Sequence, residues 1–429
     1  MLLEFSVANF RSIGEEQTLY MQPAIKSKKD DNYNILQTGI KREPEALPCV
    51  AILGANASGK SNILKALSSL KEIIQTSALR QKDDLFEDNR FRLNPIYTNK
   101  PTCFRTKFTA INGHMYQYWL ELVPEKIIRE KLTVIPNTKG AREVILINRK
   151  QNKIDLHRSI HPQKKFLDMW KAEINNQQTA LAYLDNKGEI STFKDITTWF
   201  NRLLISHTAN FPSLITANVV NSKVIEKEQI ISLLKSADIN IHDISFKKKN
   251  NSKKNTPIEE YVLNSPDKWF NSLLTTNFIH LDIHGNKTSL DLQNEESNGT
   301  QTIFNISSSI IMSLKMGTQL ILDEFNSALH PYLVRKIIQL FTNKETNPNG
   351  AQLIFATHDV TVMDKTLLRP DEIYFTEKDK ETFETRLFSL SEFKGVGSVA
   401  KNDRGQKLYK DYLDGRFGAV PEVDWDGGL

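Results

Sequence analysis

The chain has 429 residues, enough for two or three domains, and its 39% apolar and 25% charged content is ordinary for a soluble protein. No apolar run approaches the length that spans a bilayer, so no membrane partner is expected. The net charge of +5 is slight for this length; it permits a nucleic-acid partner and does not argue for one. The start Met1-Leu2-Leu3-Glu4-Phe5, with Arg11 soon after, lacks the form of a secretory signal. The two cysteines, Cys49 and Cys103, form no C-x-x-C pair, and free thiols in a cytoplasmic setting are the simplest expectation.

After a first strand, residues 21–48 carry mixed charge with Pro44 and Pro48 and read as a long connection. Cys49-Val50-Ala51-Ile52-Leu53 is then an unbroken apolar segment of the kind a buried parallel strand shows. Gly54-Ala55-Asn56-Ala57-Ser58-Gly59-Lys60-Ser61 is a complete G-x-x-x-x-G-K-[ST] loop, and Ile63, Leu64, Leu67, Leu70 and Ile74 follow at helical spacing. Such a strand, loop and helix aim backbone N–H groups and a positive helix end at one anion. Gly54, Asn56 and Gly59 would shape the cradle, Lys60 would reach the β- and γ-phosphates, and the Ser61 hydroxyl would ligate Mg²⁺. The expected ligand is a nucleoside triphosphate.

From about 85 to 160 the pattern changes to period two. Phe104, Thr106 and Phe108 alternate with Arg105 and Lys107, Asn112-Gly113 is a hairpin signal, and Tyr116, Tyr118 and Leu120 follow. With further strands at 132–135 and 144–147, this predicts an antiparallel meander. Residues 163–240 return to helical spacing through Phe193, Ile196, Phe200, Leu203 and Leu204, then Ile230, Ile231, Leu233 and Leu234. The basic run 247–254 reads as a solvated surface loop. No sustained heptads occur between about 80 and 294, so no long coiled coil is expected.

Glu296-Ser297-Asn298-Gly299 opens a helix that runs through Ile303, Phe304, Ile310 and Leu314, making a second anion-binding terminus. Leu320-Ile321-Leu322-Asp323-Glu324 is an apolar strand ending in two acids. Asp323 would hold Mg²⁺ through its water shell, and Glu324 would orient or deprotonate an attacking water. Asn326-Ser327-Ala328-Leu329-His330-Pro331 comes next. Gln352-Leu353-Ile354-Phe355-Ala356 is another buried strand, ending at Thr357-His358-Asp359, where His358 could contact the γ-phosphate, although a histidine taken alone is more often a satisfied structural one. One nucleotide does not need two anion-binding termini. Two chains that sandwich nucleotide do, so at least a dimer is expected, with Ser297 and Gly299 supplied by the opposite chain.

This order of motifs resembles the ATP-binding-cassette ATPases of the SMC, RecF and OLD group. Asn9-Phe10-Arg11-Ser12 is similar to the opening motif of that group, which implies that Arg11 approaches the bound nucleotide. Transporters carry Leu-Ser-Gly-Gly and an Asp where this chain has Glu296-Ser297-Asn298-Gly299 and His330-Pro331, and both departures resemble the RecF/OLD branch. Within that branch the chain is similar to the RloA-like ATPases of bacterial anti-phage and restriction-linked loci. Glu130-Lys131-Leu132, Ala237-Asp238-Ile239 and the ending 412–421 carry that likeness. Gln117 is a glutamine-loop candidate by region only.

The resemblance implies an α/β fold, an ABC-type P-loop ATPase cassette interrupted by a β-plus-helix insertion lobe. Residues 1–80 and 295–400 would form the cassette, 81–294 the lobe and 401–429 an extension. It implies ATP hydrolysis with Mg²⁺, in which Lys60, Glu324 and His358 are catalytic. It also implies a sensor or regulatory role in anti-phage defence beside a separate effector, docked on the lobe or near Arg416 and Phe417. One alternative is a RecF/SMC-like DNA-binding ATPase of repair. Another is an OLD-like nuclease with a degenerate Toprim domain, for which Glu377 and Asp424-Trp425-Asp426 are a superficial match; no glycine follows Glu377 and no apolar strand leads into Asp424.

Overall fold

The computed structural model describes residues 1–24, 34–41, 44–138, 140–161, 163–188, 190–207, 213–248, 274–394, 396 and 408–421. The expected α/β architecture is present, built on two large sheets beside a three-stranded and a two-stranded one. The first has six strands in the order Leu204–His207, Gln319–Asp323, Gln352–Ala356, Cys49–Gly54, Ile373–Lys378 and Thr385–Ser389, all parallel except the last. Cys49–Gly54 and Gln352–Ala356 are buried along their whole length. That is why they read as continuous apolar runs: each face of the sheet is covered.

The two faces belong to different cores. Val50, Ile52, Ile321 and Ile354 pack with the helix Lys60–Thr76, while Ala51, Leu53, Leu322 and Phe355 pack with the helices Asn298–Met316 and Pro331–Thr342. Because the central strands are parallel, their carboxyl ends share one edge. The loops after Gly54, Asp323 and Ala356 therefore emerge side by side, as ligand loops do in open α/β sheets.

The second sheet is antiparallel with seven strands, in the order Lys153–Leu156, Val144–Lys150, Lys126–Ile135, Met115–Val123, Thr102–Thr109, Leu2–Ala8 and Gln17–Tyr20. The meander is there, but it is continuous with the N-terminal strands: Phe5 faces Thr106 and Val7 faces Phe104. The sequence reading placed 81–294 in a lobe of its own. Alternation identifies a strand without naming its neighbour, so that reading could not see the pairing with Leu2–Ala8. The expectation of helix across 163–240 likewise missed Leu204–His207, which extends the parallel sheet beside Gln319–Asp323. Gln352 pins the two sheets together. Its side chain accepts from Leu2 N at 2.6 Å and donates to Leu2 O and Leu47 O, both at 3.0 Å.

Helices Lys164–Glu173, Ala180–Asn186 and Ser191–Asn201 cover the meander, with Trp199 stacked on Phe108 at 4.0 Å between centroids. Glu130 is fully buried and caps the second of these helices, accepting from Ala180 N at 2.7 Å and Leu181 N at 3.0 Å, and from the Tyr118 hydroxyl at 3.0 Å. A carboxylate at a helix start is favoured by the unpaired N–H groups there.

The ending folds back on the parallel sheet. Phe417 is only 5% exposed, which overturns the expectation of a docking surface at that ring; Arg416 is exposed and paired with Asp411. Glu377 accepts from Ala419 N at 3.2 Å, a structural contact. Asp424 to Asp426 and Lys249 to Lys254 lie outside the described residues. Among those residues, no helix is long and apolar enough to cross a membrane.

Candidate phosphate site

The loop between strand and helix is shaped by glycine. Gly54 has φ +148° and Gly59 φ +109°; a Cβ on Gly54 would run into the Thr376 carbonyl, and one on Gly59 into the Thr385 side chain. These two threonines come from the next two strands of the sheet and hold Ser58 at its hydroxyl and its carbonyl. The Thr376 and Ser58 hydroxyls are 2.6 Å apart, and Thr385 Oγ1 donates to Ser58 O at 2.8 Å. Since Thr385 uses its proton there, it accepts from Ser12 Oγ at 2.7 Å, and Ser12 in turn accepts from Asn62 Nδ2 at 2.7 Å. Thr376, Thr385 and Asn62 were not found from sequence, and no motif marks them.

Lys60 Nζ donates to Gly54 O and Ala55 O, both at 3.0 Å. Burial lowers its pKa to about 8, partly opposed by the charges of Glu324 and Asp323. Ser61 Oγ donates to Asp323 Oδ1 at 3.0 Å, so the end of the phosphate loop meets the end of the Gln319–Asp323 strand, two places along the sheet from Cys49–Gly54. Two partly exposed oxygen donors, one in the first turn of a helix and one at a strand end, suit a small hard cation, and Ser61 and Asp323 are the residues that fit Mg²⁺.

Glu324 sits at φ +52° with its N–H donating to Ala356 O at 3.0 Å, a conformation unusual for a residue with a Cβ. Its carboxylate lies 3.4 Å from His358 Nε2, and both side chains are exposed. Backbone strain of this kind clusters at functional sites. Lys60, Ser61, Asp323, Glu324 and His358 are thus brought to one edge, as read from sequence, together with Gly54, Asn56 and Gly59.

Other expected residues lie apart. Ser297 caps the helix Asn298–Met316, accepting from Thr300 N at 3.1 Å. Gly299 packs against the turn after Glu324, where a Cβ would come within 3.0 Å of Ala328 O. Among the described residues, no hydrogen bond joins Ser297 or Gly299 to the phosphate loop of the same chain. Arg11 is exposed at φ +53° with its guanidinium 5.8 Å from the Phe10 ring, and it is Ser12 that reaches the loop's buttress. Asn9 instead orders the segment before the meander, donating to Tyr97 O at 3.0 Å and Lys100 O at 2.8 Å. His330 caps the helix Pro331–Thr342, its Nδ1 accepting from Tyr332 N at 3.2 Å, which gives His330-Pro331 a structural role. Gln117 is exposed on the meander, paired with Lys107 and Thr133.

The sequence matches the family model described as AAA domain, putative AbiEii toxin, Type IV TA system over residues 49–364. No curated protein matches it. Among solved structures, the Smc head bound to the C-winged helix domain of ScpA is 13% identical, with 90% of this chain and 97% of that one covered and a TM-score of 0.44. The SMC head domain from Thermotoga maritima is 12% identical, with 90% and 98% covered and a TM-score of 0.40. The recombination mediator RecF with ATP is 12% identical, with 83% and 93% covered and a TM-score of 0.35. With the matched span running from the strand before the phosphate loop to the residues beyond His358, the chain belongs to the family described as AAA domain, putative AbiEii toxin, Type IV TA system.

Proposed function

We propose that this chain hydrolyses ATP in sites shared between two copies, and that it serves as the sensor or regulatory ATPase of an anti-phage defence system of the RloA-like kind. The observation that carries the hydrolytic part is the meeting of Ser61 with Asp323 at 3.0 Å, one residue from the Glu324–His358 pair. Loop amides of Gly54 to Gly59 and the Lys60 ammonium hold the β- and γ-phosphates. Ser61 and Asp323 hold Mg²⁺, which when bound neutralises charge on the phosphates. Glu324 accepts the proton of the attacking water, and His358 donates to the γ-phosphate. Arg11 approaches the nucleotide from the N-terminal turn. Ser297 and Gly299 present their helix start to the nucleotide of the opposite chain, a reading supported by the well-formed helix start that Ser297 caps.

The defence role and the separate effector rest on the RloA-like motifs; the family's description, putative AbiEii toxin, Type IV TA system, supports a defence setting without naming the partner. The test of the chemistry is Glu324→Gln, followed by phosphate release and by binding of labelled ATP. Binding should persist while turnover falls by about 10²-fold or more, the scale of a lost general base. Undiminished phosphate release from Glu324→Gln would remove Glu324 from the base role.

A further inference from the structure

The ending 412–421 plays no part in the hydrolytic roles above, yet its seat is specific. The Tyr412 ring lies parallel to Phe375, 5.3 Å away at 8°, and Phe417 stacks on the same ring at 6.1 Å. Phe375 and Thr376 belong to the strand paired with Leu53 and Gly54, where the phosphate loop begins. Tyr412 Oη donates to Ala419 O at 2.8 Å and closes the turn, while Ala419 N is tied to Glu377. Left-handed φ values of 78° at Gly415 and 67° at Gly418 let the chain reverse. Seated in this way, Tyr412, Leu413 and Pro421 line one side of a cavity of about 230 Å³ whose other side is Ala55, Asn56 and His358.

We infer that this C-terminal turn is the outer wall of the hydrolytic site, with Tyr412 and Phe417 as positioning residues that hold Leu413 and Pro421 opposite His358 and the first half of the phosphate loop. The inference rests on the ATP-hydrolysis reading of that site. A wall on the His358 side fixes the strand end carrying the imidazole and limits how bulk water enters. It therefore acts on the hydrolytic step more than on nucleotide affinity, which comes from the loop amides and Lys60. Small displacements of groups around a reacting phosphate cost rate steeply, because the chemistry is almost wholly a matter of positioning.

The experiment compares kcat with the Kd of a non-hydrolysable ATP analogue in full-length variants. Tyr412→Phe removes the bond that closes the turn, and Phe417→Ala removes one ring from Phe375. Both should lower kcat by about tenfold or more while leaving Kd within about twofold. Phe417→Leu, which keeps most of the buried volume, should recover most of the turnover. Leu413 is 55% exposed, so Leu413→Ala should fold normally, and a smaller loss of kcat alone keeps the test decisive if Phe417→Ala is unstable. Wild-type kcat in both Tyr412→Phe and Leu413→Ala overturns the inference. So does an equal loss of kcat and affinity, since that would mean general disorder of the loop. If the unaltered chain binds the analogue but releases no phosphate from ATP, the hydrolytic reading itself fails, and that outcome is separate.

Discussion

Lys60 is buried with its ammonium against two carbonyl oxygens, and burial holds its pKa at about 8 rather than the usual 10.5. A phosphate is bound well only by the charged form, so nucleotide raises this pKa and binding takes up a proton from about pH 8 upward. Affinity should fall as pH rises through about 8. Calorimetry in two buffers of different protonation enthalpy checks this, and Lys60→Arg should abolish the uptake because guanidinium stays charged. In the free protein the sign is different. Between about 8 and 10.5 the unfolded chain holds more protons on this group than the folded one, so its contribution to stability rises with pH there. The motif residues were legible because their chemistry is local: glycines, lysine and serine at fixed spacing specify the cradle. Thr376 and Thr385 were not, since they reach Ser58 across 318 and 327 positions of sequence and threonine on a strand is unremarkable.

The helix opened by Ser297 has a well-made cap and a glycine at close quarters with Ala328. If it serves the neighbouring chain, Ser297→Arg should leave single-chain ATP binding intact and stop hydrolysis. Mixing this variant with Lys60→Ala should return part of the activity, because one of the two composite sites in a mixed dimer has both halves intact. Heterodimers, verified by differential tagging, that remain inactive would count against the shared site. Elements long enough to show a period were readable from sequence, including the helix after the loop and the strands of the meander. Their partners were less so. Leu203 and Leu204 fitted a helical spacing by accident, and a strand as short as Leu204–His207 is decided by the sheet edge it completes. Glu130 was noted as part of a family likeness, whereas its burial beneath the Ala180 helix shows it to be a cap.

For the whole molecule, the prediction concerns what it does not do alone. Glu377 is engaged by the C-terminal turn, and the described residues contain no cluster of three or more metal-binding side chains. Pure protein should leave duplex and single-stranded DNA intact with Mg²⁺ or Mn²⁺. Cleavage abolished by Glu377→Ala or Asp424→Ala would revive the nuclease reading and end the argument for a separate effector. The Gln352 contact with Leu2 spans 350 positions and has a consequence for synthesis. The N-terminal strand leaves the ribosome first, but the side chain that anchors it is made about 18 to 70 seconds later at ~5–20 residues per second. Through that interval the apolar strands Leu2–Ala8 and Cys49–Gly54 lack the Gln352–Ala356 strand that joins them, so the nascent chain depends on chaperones or on its own meander for cover. An unfinished chain also lacks Thr385 and His358. The phosphate loop becomes a working site only after Thr385 has been made, so products that stop before it should be silent as ATPases.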